Sequence, residues 1–75
     1  MGTLKEYVDK KSGEILGRMG NQPTWPAMYD RYIELLSFLE KSGRVGTSIN
    51  QMEEIFEKAS QIRARYVHFL KEANI

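Results

Sequence analysis

Apolar residues recur along this chain at intervals of three and four, the repeat that lines one face of an α-helix. Three segments carry it: Leu4, Val8, Ile15 and Met19; Trp25, Met28, Tyr32, Leu35, Leu36 and Leu39; and Ile55, Ala59, Ile62, Tyr66, Phe69 and Ala73. No segment alternates with period two for long enough to form a convincing strand. The pattern predicts an all-α fold, with residues 1–75 forming a single small three-helix domain. Its centre is an antiparallel hairpin of helix 24–42 with helix 48–73.

Polar residues set the boundaries. Thr3-Leu4-Lys5-Glu6 has the spacing of a capping box, and Ser48 with Gln51 repeats it; in each, a hydroxyl accepts a backbone N–H that has no partner within the helix. Thr24 precedes Trp25-Pro26, and a proline in the first turn forfeits no hydrogen bond. Ser12-Gly13 and Gly17 dilute the first repeat, each helical glycine costing up to about 1 kcal/mol, so the N-terminal helix is expected to be shorter or broken. Gly20-Asn21-Gln22-Pro23 ends it. Gly43 is the expected left-handed residue after the second helix, and Gly43-Arg44-Val45-Gly46-Thr47 the turn into the third.

Two of the helices are apolar over more of their circumference than one neighbour requires. In the second, Tyr29 and Ile33 flank the stripe and Phe38 points well away from it. In the third, a row of Met52, Phe56, Val67 and Leu70 runs beside the seam, so that together they span roughly 160° where one contact needs about 100°. Such faces are buried centrally or shared with another chain. The expected function is that of a non-enzymatic helical protein–protein interaction module, a regulator, inhibitor or assembly factor. Its partner would be another protein or a second copy in a homodimer. Candidate interface residues are Arg63, Phe38, Phe56, Val67, Leu70 and Tyr29, with Phe38 expected to be exposed beside Arg31 and Ser42. Arg63 falls within the apolar row, and either its methylenes cover that surface while its guanidinium reaches water or pairs with Asp30 or Glu34, or it anchors the interface. Tyr29, Tyr32 and Tyr66 need partners for their hydroxyls and are expected at edges or at an interface.

Composition narrows the chemistry. The chain has no cysteine and one histidine, which excludes disulfides and a zinc site of the usual Cys/His type; no metal, cofactor or small-molecule substrate is expected. No nucleophile–base pair or paired carboxylates stand at catalytic spacing, so no catalytic residue is assigned. No apolar run approaches the roughly 20 residues of a membrane span, and a cytoplasmic protein with no membrane partner is the expectation. Eleven Lys plus Arg against ten Asp plus Glu leave a net charge of +1, which favours no class of partner.

Charge distribution raises one alternative, a small nucleic-acid-binding domain. Gln61, Arg63, Arg65, His68 and Lys71 would be its contacts, with residues 49–57 as scaffold helix, Lys58-Ala59-Ser60 as turn and Gln61 to Glu72 as recognition helix. Phe69-Leu70-Lys71-Glu72-Ala73-Asn74-Ile75 is loosely similar to the end of the recognition helix in winged-helix regulators. Glu53 and Glu57 depart from that pattern where small residues and glycine are usual, and continuous helix through 58–60 accounts better for the seam. Glu53, Glu54 and Glu57 early in the helix with the bases late also match the helix dipole without any ligand. Gly17-Arg18-Met19-Gly20, after Ile15-Leu16, is similar to the glycine loop with which KH domains clamp a nucleic-acid backbone. Together with Gly43-Arg44-Val45-Gly46, it is expected to be a helix end.

Overall fold

The structure, a computed structural model, describes residues 2–73 and side chains as far as Lys71. Among these residues it is all-α, in the order α1 (Leu4–Gly20), α2 (Trp25–Arg44), α3 (Ile49–Ala64) and a short α4 (Val67–Ala73). The first three helices start where the polar residues placed them. Thr3 Oγ1 accepts from Glu6 N at 3.2 Å, Thr24 Oγ1 from Ala27 N at 3.4 Å and Ser48 Oγ from Gln51 N at 3.2 Å.

α1 is unbroken over 17 residues, against 20 in α2. Gly13 and Gly17 do not interrupt it, because they face away from the bundle while Val8, Ser12, Ile15 and Met19 are buried along the opposite side. Ser12 enters that buried row at little cost, since its hydroxyl donates to Asp9 O at 3.1 Å within the helix. α2 continues two residues beyond Ser42, and Gly43 is helical rather than left-handed. It marks a close approach instead: a Cβ there would lie 3.2 Å from Met52 Sδ on α3. The left-handed residue of the turn is Gly46, at φ 107°.

The expected single helix 48–73 is continuous through 58–60 but divides later. Arg65 N bonds Ile62 O and Tyr66 N bonds Arg63 O, each at 3.0 Å, so the turn tightens to an i→i−3 pattern before α4 begins. At this break Tyr66 is buried, and its hydroxyl is shared between Met19 O at 3.1 Å and Gln22 O at 2.8 Å. Met19 O lies in the last turn of α1, where helix carbonyls lack intrahelical partners, and Gln22 O lies just beyond it. Tyr66 is thus a core residue, not an edge one, and it fastens α1 to the α3–α4 junction.

At the opposite end a buried Gln51 makes the matching connection, its Nε2 donating to Lys5 O at 2.9 Å and Asp9 Oδ1 at 3.2 Å. α1 and α3 therefore run parallel, both antiparallel to α2, in a bundle 49 × 19 × 16 Å. Val8, Ile15 and Met19 meet Met28, Tyr32, Leu35 and Leu39 of α2 and Ile55 and Ala59 of α3 in one core. Ile62 and Phe69 pack partly buried against it, as their seam positions predict, whereas Ala73 lies outside the described side chains. α1 supplies the second neighbour that α2's wide apolar face calls for. Among the described residues no helix is long and apolar enough to cross a membrane.

Candidate interaction surface

α3 approaches α2 through its seam and Met52, and leaves Ile49 and Phe56 of its second apolar row exposed. Stepping about 100° per residue places Ile49, Met52, Phe56 and Arg63 of α3 within roughly 60° of one another. Facing it from α2 are Leu36 and Leu39. Between the helices lies an open groove of about 670 Å³ lined by Leu36, Leu39, Ile49, Met52 and Phe56, with Ser60 at one end and Glu40, Glu53 and Glu57 along its sides. Ile49 is 68% exposed and Phe56 45% exposed, although both belong to an apolar lining.

The groove continues into an aromatic ladder. Phe56 lies 6.4 Å from Tyr32, Tyr32 lies 5.9 Å from Tyr29, and Tyr29 stacks on Trp25 at 5.9 Å. These separations fall in the range of favourable aromatic pairs. Tyr32 is buried, Trp25 half-buried and Tyr29 exposed, so the ladder climbs from the core to the surface. Arg63 closes it: its guanidinium carbon sits 5.5 Å from the centre of the Tyr32 ring. Arg63 is exposed and lies over the face of an aromatic ring, and it forms no ion pair with Asp30 or Glu34 among the described residues. Glu34 is engaged elsewhere, by Arg18 at 3.2 Å and Arg31 at 3.1 Å.

Of the six interface candidates, Tyr29, Phe56 and Arg63 converge on this surface through Tyr32. Val67 and Leu70 are exposed on α4. Phe38 belongs to another face and is not exposed. It is half-buried against the core on the α1 side of α2, its ring 6.1 Å from that of Tyr7. Ser42 beside it is buried and donates to Phe38 O at 2.8 Å. Tyr7, which stands outside the apolar repeat of α1, was no part of the expected core, and its cover of Phe38 required knowing that α1 docks there.

Among the residues of the nucleic-acid alternative, Arg63 stands apart from Gln61 and Arg65. Gln61 and Arg65 line the α1–α3 side with Lys58, Gly17 and Gly20, while Arg63 lies on the α2–α3 side over Tyr32. His68 stacks against Phe69 at 4.0 Å, its Nδ1 3.1 Å from Arg65 O. α3 has no turn at residues 58–60. The Gly-Arg-x-Gly stretches lie at helix ends: Gly17 to Gly20 closes α1, and the second runs out of α2 into Gly46.

Ile49 and the acidic flank formed by Glu53 and Glu57 were not among the expected site residues. Their signal was present in the angular positions of α3, where Ile49 falls into the row of Met52 and Phe56 and the two carboxylates sit four residues apart beside it. No group of three or more His, Cys, Asp and Glu residues suited to a metal ion occurs among the described residues. Comparison of the chain with family models, with curated proteins and with solved structures finds no match in any of the three.

Proposed function

We propose that this chain is a non-enzymatic protein-interaction module whose working surface is the apolar α2–α3 face, centred on Phe56 and extending to Tyr29 and Arg63. The observation that supports this reading is the groove itself. Leucine, isoleucine, methionine and phenylalanine line an open concavity, flanked by carboxylates, in a bundle whose three long helices already share a core. Contiguous exposed apolar surface rimmed by polar groups is the usual form of a protein-binding site. An amphipathic helix laid into such a groove contributes anchors at i, i+3, i+4 and i+7, and acidic sides select basic flanks.

The test is selection of displayed amphipathic helical peptides on the wild-type chain, with counter-selection on Phe56→Glu. Phe56 is partly solvated, so the variant is expected to keep its helical circular dichroism and lose the selected peptides. Failure to enrich any peptide that distinguishes the two proteins overturns the reading.

A further inference from the structure

The exposed apolar surface of α3 and α4 carries opposite charges at its two ends. Beside Met52 and Phe56 stand Glu53 and Glu57, neither in an ion pair among the described residues, whereas Glu40 across the groove is bonded to Arg44 at 2.6 Å. Beside Val67 and Leu70 stand His68 and Lys71. Glu53, Glu57 and Lys71 are all exposed, so this surface runs from two carboxylates at its α3 end to the Lys71 ammonium at its α4 end. The acidic end meets a groove and the basic end bears two exposed apolar side chains, Val67 and Leu70. The ends are complementary in charge, and both carry exposed apolar side chains.

On this basis, and resting on the interaction surface proposed above, we infer that the occupant of the groove is a second copy of the chain. The two copies lie side by side and antiparallel about a two-fold axis, and α4 of each covers the α2–α3 groove of the other. Only the antiparallel arrangement joins unlike ends twice; a parallel pair sets Glu53 and Glu57 against their own copies. Phe56 and Leu70 are roughly 21 Å apart at about 1.5 Å per helical residue, so both contacts fit along a molecule 49 Å long. A typical specific interface buries ~800 Å² per partner, a modest fraction of the 5320 Å² that this chain exposes. Contacts of this isologous kind close on themselves and stop at a dimer.

Sedimentation equilibrium on the full chain tests the arrangement. The wild type is expected at about twice its 8.7 kDa mass. Glu53→Lys with Glu57→Lys makes both ends basic, and His68→Glu with Lys71→Glu makes both acidic. Each double variant alone should dimerise at least about tenfold more weakly, and an equimolar mixture should regain the parental affinity as a pair containing one of each. Circular dichroism on each variant establishes that it is folded; if either is not, Phe56→Glu and Leu70→Glu, which should each abolish the dimer, provide the decision. The inference is overturned by a wild type that stays at 8.7 kDa, by dimers that survive both charge reversals, or by folded variants that do not pair when mixed. A monomeric wild type that still selects Phe56-dependent peptides shows that the groove takes another protein; it removes the second copy and leaves the proposed function standing.

Discussion

Replacing Tyr66 with phenylalanine removes one oxygen atom and keeps the ring, which isolates the bond that ties α1 to the α3–α4 junction. The hydroxyl is shared between Met19 O at 3.1 Å and Gln22 O at 2.8 Å. Tyr66 is only 6% exposed, and the contact with Met19 O is itself buried, so water does not readily replace the lost donor there. The Gln22 contact is partly buried and rehydrates more easily. A net hydrogen bond contributes about 0.5–1.5 kcal/mol, and a buried acceptor left without a donor costs about 1–3 kcal/mol. Weighting one well-buried and one accessible carbonyl gives an expected loss of roughly 1–2 kcal/mol. Against the ~3–5 kcal/mol that a core of this size supplies, that is a substantial share. The midpoint of thermal unfolding should fall by roughly 4–8 °C for each kcal/mol lost. Urea unfolding followed by far-UV circular dichroism reads the change, and an unaltered m-value shows that the native state has kept its compactness. A loss below about 0.3 kcal/mol refutes the reasoning, because it means that the bond at the break contributes nothing that water does not.

Three other substitutions separate the structure from its alternatives. Thr47→Val should raise stability by about 0.5–1 kcal/mol in the same urea experiment, since Thr47 Oγ1 is buried without a partner and a methyl group fills its place without the desolvation cost. Phe38→Ala should cost roughly 1.5–2.5 kcal/mol, about half the value for a fully buried phenylalanine, because its ring is covered by Tyr7; a cost under about 0.5 kcal/mol returns it to the exposed position that the sequence pattern assigned. Arg63→Gln should lower stability by about 0.5–1 kcal/mol, the scale of an exposed cation–π contact, with the near-ultraviolet tyrosine signal changing as the Tyr32 ring loses its cover.

Much of the fold was legible because the decisive signals are local. Thr3, Thr24 and Ser48 cap the helices they were expected to cap, and the seam from Ile55 to Phe69 is the face that meets the core. What escaped the sequence depends on tertiary contacts. The break at Arg65–Tyr66 has no glycine or proline to announce it, and it leaves the spacing from Ile62 to Tyr66 to Phe69 in helical phase. Gly43 was assigned positive φ from its place after a helical run, yet α2 extends past it and the close approach of Met52 is what calls for a small residue. Phe38 was assigned to a partner because its angle lies far from the main stripe of α2. The apolar repeat of α1 is too sparse to show that Tyr7 and Ile15 would reach across to that side.

The same comparison explains why an uncovered surface remains on α3 and not on α2. α2 has two apolar sectors and two neighbours: α1 covers the sector containing Phe38, and α3 meets the one containing Tyr32 and Leu39. α3 spends a single sector, Ile55, Ala59 and Ile62, on both neighbours at once, because Ala59 is small enough to let the helices draw together at that seam. Phe56, turned by roughly 90° from the seam, is left beyond the line of closest approach, with Met52 between them packed against Gly43. Fold and interface are thus carried by adjacent rows of one helix, and substitution distinguishes them. Enlarging Ala59 to leucine forces apart the seam that α1 and α2 share and should unfold the chain. A charge at Phe56 should leave the bundle intact and abolish only what it binds.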